Sequence, residues 1–257
     1  MRRRAGVVLL LLALVSCGGS APTQSPTSAS TIPNGTITVF AASSLTNAFD
    51  RVGAELSRLY PATHYTFNYG SSSTLATQIV NGAPADVFAS ADDANLQKIL
   101  GAGLVQGSMS IFASNRLQIA VALGDPKGIA SLADLARRDL VVVLAAPSVP
   151  AGKYAQDALS KAGVTLTPAS QELDVRAVLN KVALGEADAG IVYITDVRSA
   201  AGRVTGVDIP EQHQVLARYP IAAVKESRNP RLAQAYVDFL LSDQGQKLLA
   251  EFGFSKP

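Results

Sequence analysis

A short β-branched or apolar run, a turn of small polar residues and then a longer segment with helical periodicity recur along this chain, and the recurrence restricts it to the α/β class. Ile37 to Ala41 reads as a strand, and after Ser43 and Ser44 the apolar positions Leu45, Ala48, Phe49, Val52, Leu56 and Leu59 share one helical face. His64 to Tyr69 reads as the next strand. Ser71, Ser72 and Ser73 then lead a helix through Leu75, Ile79 and Val80 that Asn81 and Gly82 stop. Asp86 to Ala89 is a third strand, and Asp92 and Asp93 cap a helix that runs to Leu100.

The pattern then restarts. Strands are expected at Leu117 to Leu123, Leu140 to Leu144 and Gly190 to Thr195, with helices from Lys153 to Lys161 and from Val175 to Leu184. Val215 to Val224 reads as a strand returning across the molecule, and Arg231 to Phe252 as one long amphipathic closing helix. Two similar halves, followed by a segment that must rejoin the first, predict two lobes joined by two crossovers, each lobe a mixed sheet flanked by helices. The expected division is lobe 1 at 36–115 plus 217–257 and lobe 2 at 116–216, with hinges near Ser114 to Leu117 and Ala217 to Tyr219.

The front of the chain sets an expectation about compartment. Arg2, Arg3 and Arg4 precede an apolar run from Ala5 to Val15, and Leu14-Val15-Ser16-Cys17 ends it with small residues before a cysteine. The run falls short of the roughly 20 residues that a membrane-crossing helix needs. We read 1–16 as a signal peptide and Cys17 as a lipidation site on an exported protein. Cys17 is the only cysteine in 257 residues, so no intramolecular disulfide is available. The segment 17–35, rich in Gly, Ser, Thr and Pro, reads as a flexible tether. Hydrophobic residues at 48% against 16% charged describe a well-cored globular domain, and a net charge of +2 without a basic, aromatic-bearing stripe gives no reason to expect nucleic acid.

The chemistry is expected at the strand-to-helix turns. Ala42-Ser43-Ser44, Gly70-Ser71-Ser72-Ser73, Val149-Pro150-Ala151-Gly152 and the turn into Val175 are made of small and hydroxyl residues almost without charge. Each presents backbone N–H groups at a helix start, where directed donors and the helix dipole favour an anion. Such turns lie at the carboxyl ends of strands, where open α/β sheets bind ligands. Phosphate carries a proton at neutral pH and so calls for an acceptor, whereas sulfate, molybdate and tungstate need donors alone. Asp174, the one carboxylate at such a turn, reads as a helix N-cap. Lys153 is expected on an exposed face and Arg176 in a structural pair with Asp174; His64 and His213 have no metal-ligand spacing, and Asp86, Asp92 and Asp93 read as cap and turn residues.

Six stretches at these positions resemble the periplasmic molybdate-binding proteins of ABC transporters, which have the two-lobed class II periplasmic-binding-protein fold. They are Thr38 to Asn47 (TVFAASSLTN), Ser71 to Ile79 (SSSTLATQI), Gly82 to Asp92 (GAPADVFASAD), Val149 to Tyr154 (VPAGKY), Asp174 to Arg176 (DVR) and Gly185 to Asp196 (GEADAGIVYITD). The resemblance implies an oxyanion held between the lobes by the Ser44 hydroxyl and amide, the Ser72 hydroxyl, the backbone amides of Ala151 and Val175, and the Tyr193 phenol. Ser43 stands where the family often has alanine and is an additional candidate. Leu144 to Ser148 departs from the Gly-Asp-Pro turn of many members. The implied ligand is molybdate, with tungstate close behind, so molybdenum enters only as the oxyanion and no other cofactor is expected. The implied partners are a membrane permease of an ABC importer and, through Cys17, the outer face of a membrane; the protein itself is expected to be a monomer. Another small anion such as sulfate is the nearer alternative. A serine hydrolase is the more distant one, for the chain has no Gly-x-Ser-x-Gly elbow.

Overall fold

The computed structural model describes residues 33–257. The expected signal peptide, the lipidation position Cys17 and most of the expected tether lie outside the described residues.

The first half is built on strand β1 (Gly35–Ala42), whose Ile37, Val39 and Ala41 are wholly buried. Helix α1 (Thr46–Leu59) follows a 3-10 turn at Ser43–Leu45 and carries the chain back to β2 (Thr63–Gly70); α2 (Ser72–Val80) does the same before β3 (Val87–Ala89). Because each connection contains a helix, β1 pairs in parallel with both β2 and β3. Helix α3 (Asp93–Gly101) then leads into β4 (Val105–Ala122). Phe49 of α1 lies on Phe112 of β4 at 5.8 Å between ring centroids, which seats the helix on the sheet.

β4 is the structural axis. Its Val105–Arg116 part pairs antiparallel with β9 (Leu216–Val224), which itself pairs antiparallel with β3. From Leu117 onward β4 pairs instead with β7 (Ala189–Tyr193) and β8 (Val204–Asp208). Parallel to β7 runs β5 (Val142–Ala145), and parallel to β5 runs β6 (Ser170–Glu172). Helices α4 (Pro150–Lys161), α5 (Val175–Ala183) and α6 (Ile194–Ser199) follow β5, β6 and β7 respectively. The result is a mixed sheet in each half, with helices packed on it.

Several elements differ from expectation. The closing helix is two helices, α7 (Pro230–Leu241) and α8 (Asp243–Glu251). Ser242 between them is extended, and its Oγ accepts from Gly245 N–H at 3.2 Å, so a new N-cap interrupts a periodic pattern that continues on both sides. β4 begins at Val105 rather than near Leu117, because its first part is polar on its open face and lacks a strand's clean alternation. β7 ends at Tyr193, and Thr195 belongs to α6, where Asp196 Oδ2 accepts from Tyr193 N–H at 3.1 Å. Short β6 and β8 carry too little hydrophobic pattern to be read in advance.

Candidate functional site

Parallel strands place their carboxyl ends, and the helix starts that follow, on one side of each sheet. In this molecule those sides face each other across a small cavity. Ala42, Ser43 and Ser44 line it from the end of β1, Gly70, Ser71 and Ser72 from the end of β2, and Ala91 from beyond β3. Val149, Pro150, Ala151, Val175 and Tyr193 line it from the other half. The sequence candidates Ser43, Ser44, Ser72, Ala151, Val175 and Tyr193 are therefore brought to one place. Among the described residues no charged side chain lines the cavity.

Local structure explains why this lining offers donors. Pro150 occupies the first position of α4, and Val149 before it is extended and supplies no side-chain cap. The Ala151 N–H, in the first turn, has no acceptor among the described residues. At α5, Asp174 Oδ1 accepts from Arg176 N–H at 2.8 Å and from Ala177 N–H at 3.1 Å, as its N-cap reading requires, and Val175 N–H is left without an acceptor among the described residues. Ser72 Oγ accepts from Ala91 N–H at 2.9 Å, so its own proton is free to point at the cavity. Ser44 Oγ lies 2.9 Å from the Tyr219 hydroxyl.

Tyr193 is 1% exposed, and its hydroxyl has no hydrogen-bond partner among the described residues. Tyr65 and Tyr236 share that condition, but only Tyr193 lines the cavity. Burial pushes its phenol well above the ordinary value, with the neighbouring Tyr219, Tyr154 and Asp196 acting in the same direction. It stays protonated and can donate.

Arg176 corrects an expectation. Its Nε lies 3.0 Å from Asp196 Oδ1, not on Asp174, with the N–H directed off that oxygen. Its Nη1 donates to Ser199 Oγ at 2.7 Å, and its Nη2 donates to Asn47 Oδ1 at 2.6 Å, reaching from α5 to α1 in the other half. Lys153 is exposed, as expected. Asp86 accepts from Thr38 N–H and Asp92 from Asn95 N–H, so both serve local structure. No group of three or more His, Cys, Asp or Glu side chains that could hold a metal ion occurs among the described residues.

Burial raises the Asp196 carboxyl from 3.8 to about 6, against the opposing pull of the Arg176 charge and the Tyr193 N–H. The folded state holds this proton more tightly than the unfolded chain does. The stability contributed by Asp196 therefore falls as pH rises through the window between those values and is level above it. Asp196→Asn is expected to remove that part of the pH slope, at most about 1.4 kcal/mol per pH unit. Chemical unfolding of both proteins across the window checks this; parallel curves would refute it.

Tyr219 and Asn115, beneath Ser44, were not singled out from the sequence. Both are polar residues inside β-strands, and their only sequence signal is a position at the expected crossovers.

The fold, with a donor-bearing cavity between its halves, is that of the periplasmic-binding class of solute-binding proteins. A family model described as bacterial extracellular solute-binding protein matches residues 37–255. The chain belongs to that family, among the homologues of the molybdate-binding protein ModA. ModA of Mycobacterium tuberculosis is 43% identical over 249 residues, covering 97% of this chain and 95% of the relative. ModA of Escherichia coli is 34% identical, covering 86% and 89%. The solved periplasmic molybdate-binding protein of Azotobacter vinelandii superposes with a TM-score of 0.76 at 19% identity, covering 86% of this chain and 99% of that one, which speaks to fold. Among the described residues no helix is long and apolar enough to cross a membrane.

Proposed function

We propose that this protein captures molybdate, and tungstate with it, in the cavity and delivers it to the permease of an ABC importer. The observation that carries the reading is the buried Tyr193 hydroxyl, protonated and without a partner among the described residues, facing a cavity whose lining also offers the Ser72 hydroxyl and the free amides of Ala151 and Val175. A fully deprotonated oxyanion satisfies all of these groups. Hydrogen phosphate brings a proton that no lining carboxylate is present to accept. Ser44 with Ser72 on one side, and Ala151, Val175 and Tyr193 on the other, are the proposed ligands, with Ser43 beside them.

The proposed lobes are 36–115 plus 217–257 and 116–216. The change of β4 partners between Arg116 and Leu117 supports this division. Ligand binding favours closure because only the closed arrangement satisfies both half-sites, and the Arg176–Asn47 hydrogen bond adds a direct tie across the cleft. We propose further that Cys17 carries a lipid that holds a monomeric protein at the outer face of the membrane.

Titration calorimetry against molybdate, tungstate, sulfate and phosphate tests the function. One-to-one binding of the first two, with little heat from the others, is expected; preference for sulfate would move the assignment to that ion. Tyr193→Phe and Ser72→Ala are each expected to weaken molybdate binding about tenfold, the loss of a hydrogen bond to a charged group. Wild-type affinity in both would remove these residues from the site.

A further inference from the structure

Beneath the cavity, three buried polar side chains are joined in an order that gives Ser44 a defined polarity. Asn115 Oδ1 accepts from Arg116 N–H at 2.9 Å, which fixes the orientation of the amide. Its Nδ2 therefore faces Thr195 Oγ1 at 2.8 Å and the Tyr219 hydroxyl at 3.4 Å, and an amide nitrogen can only donate. With its oxygen accepting from Asn115, the Tyr219 hydroxyl has Ser44 Oγ at 2.9 Å as the acceptor for its own proton. A phenol is also a stronger acid than an alcohol, which favours the same direction. Ser44 then holds one lone pair on Tyr219 and turns its proton to the cavity. Turning a lone pair there instead would strand that proton. Tyr219 is fully buried and held edge-on between Tyr193, at 5.9 Å, and Phe254, at 5.4 Å, so the chain of donors has little freedom to rearrange.

We infer that Asn115 and Tyr219 are specificity-determining positioning residues: their relay locks Ser44 as a donor and so excludes oxyanions that carry a proton. The inference rests on the reading of the cavity as an oxyanion site. Both residues lie on the strands that join the two halves, Asn115 on β4 opposite Ala217 and Tyr219 on β9 opposite Ala113, so the same relay ties the selectivity of the site to the crossovers.

Reversing the relay tests it. In Asn115→Asp the carboxylate accepts from Tyr219, Tyr219 accepts from Ser44, and a Ser44 lone pair turns to the cavity. The readout is the ratio of molybdate to hydrogen phosphate affinity at mildly alkaline pH, in full-length protein, with phosphate measured by competition. Both ligands are dianions there, so the added negative charge cancels in the ratio. The ratio is expected to fall about tenfold or more, and to be unmoved by the same substitution made in Tyr219→Phe, where the relay is cut. If Asn115→Asp is too unstable to titrate, Asn115→Leu removes the donor to Tyr219 and predicts a fall in the same direction. A wild-type protein that takes no molybdate sinks the site reading and the relay together. A wild-type protein that takes molybdate, with a ratio that these variants leave unchanged or that shifts equally without Tyr219, sinks the relay alone.

Discussion

Val175→Pro is expected to lower molybdate affinity by between about tenfold and a hundredfold while leaving the fold in place. Val175 is the first residue of α5, the helical position that proline prefers, because the N–H it lacks has no intrahelical acceptor. Asp174 before it is extended, at φ −157° and ψ 169°, which is the conformation that a following proline demands. The Asp174 cap bonds go to Arg176 and Ala177 and are untouched. Valine and proline fill similar volume, so the buried contact is largely kept. The substitution therefore deletes one backbone donor and little else, which no side-chain truncation at this position can do. Val175→Ala is the control, since it keeps the amide and loses the packing. Calorimetry reads affinity and thermal unfolding reads the fold. Wild-type affinity in a folded Val175→Pro would show that the amide does not reach the ligand.

How much of this was legible in advance depended on how local the cause was. The turns at Ser43, Ser72, Ala151 and Val175 were readable because small, hydroxyl-rich residues between a strand and a helix have few other uses. The break at Ser242 was missed because apolar periodicity continues across it, and the local sign, serine followed by aspartate with glycine at Gly245, is weak against that pattern. The first part of β4 was missed because its burial comes from β9, more than a hundred residues away in sequence, and not from an alternation of its own. Arg176 was given the nearest carboxylate in the sequence, whereas the fold gives it Asp196, buried one strand over. Tyr219 and Asn115 were invisible for the same reason: a polar residue inside a strand declares its partner only when the other half of the sheet is in place.

Gly152→Ala is expected to cost roughly 1–3 kcal/mol of stability and to weaken molybdate binding. Helix propensity alone predicts the opposite, a gain of about 1 kcal/mol for replacing glycine inside a helix. Packing decides the sign. A Cβ at Gly152 would stand 2.1 Å from the Ala146 carbonyl oxygen and 2.4 Å from that of Ala145, and both are backbone atoms that cannot swing aside. The start of α4 must retreat from the end of β5 to make room. That retreat carries the Ala151 amide with it, and a displacement of ångström scale is enough to spoil a directed hydrogen bond to a ligand that, in the proposed site, four other residues hold. Gly101, at the end of α3, supplies the comparison: a Cβ there meets nothing within 4 Å, so Gly101→Ala is expected to be neutral or mildly stabilising and silent in binding. Denaturant unfolding and calorimetry on the two variants separate the effects. Equal behaviour of the two would mean that the close approach of α4 to β5 contributes nothing, and that the glycine in VPAGKY is there for some reason other than bringing a helix start against its strand.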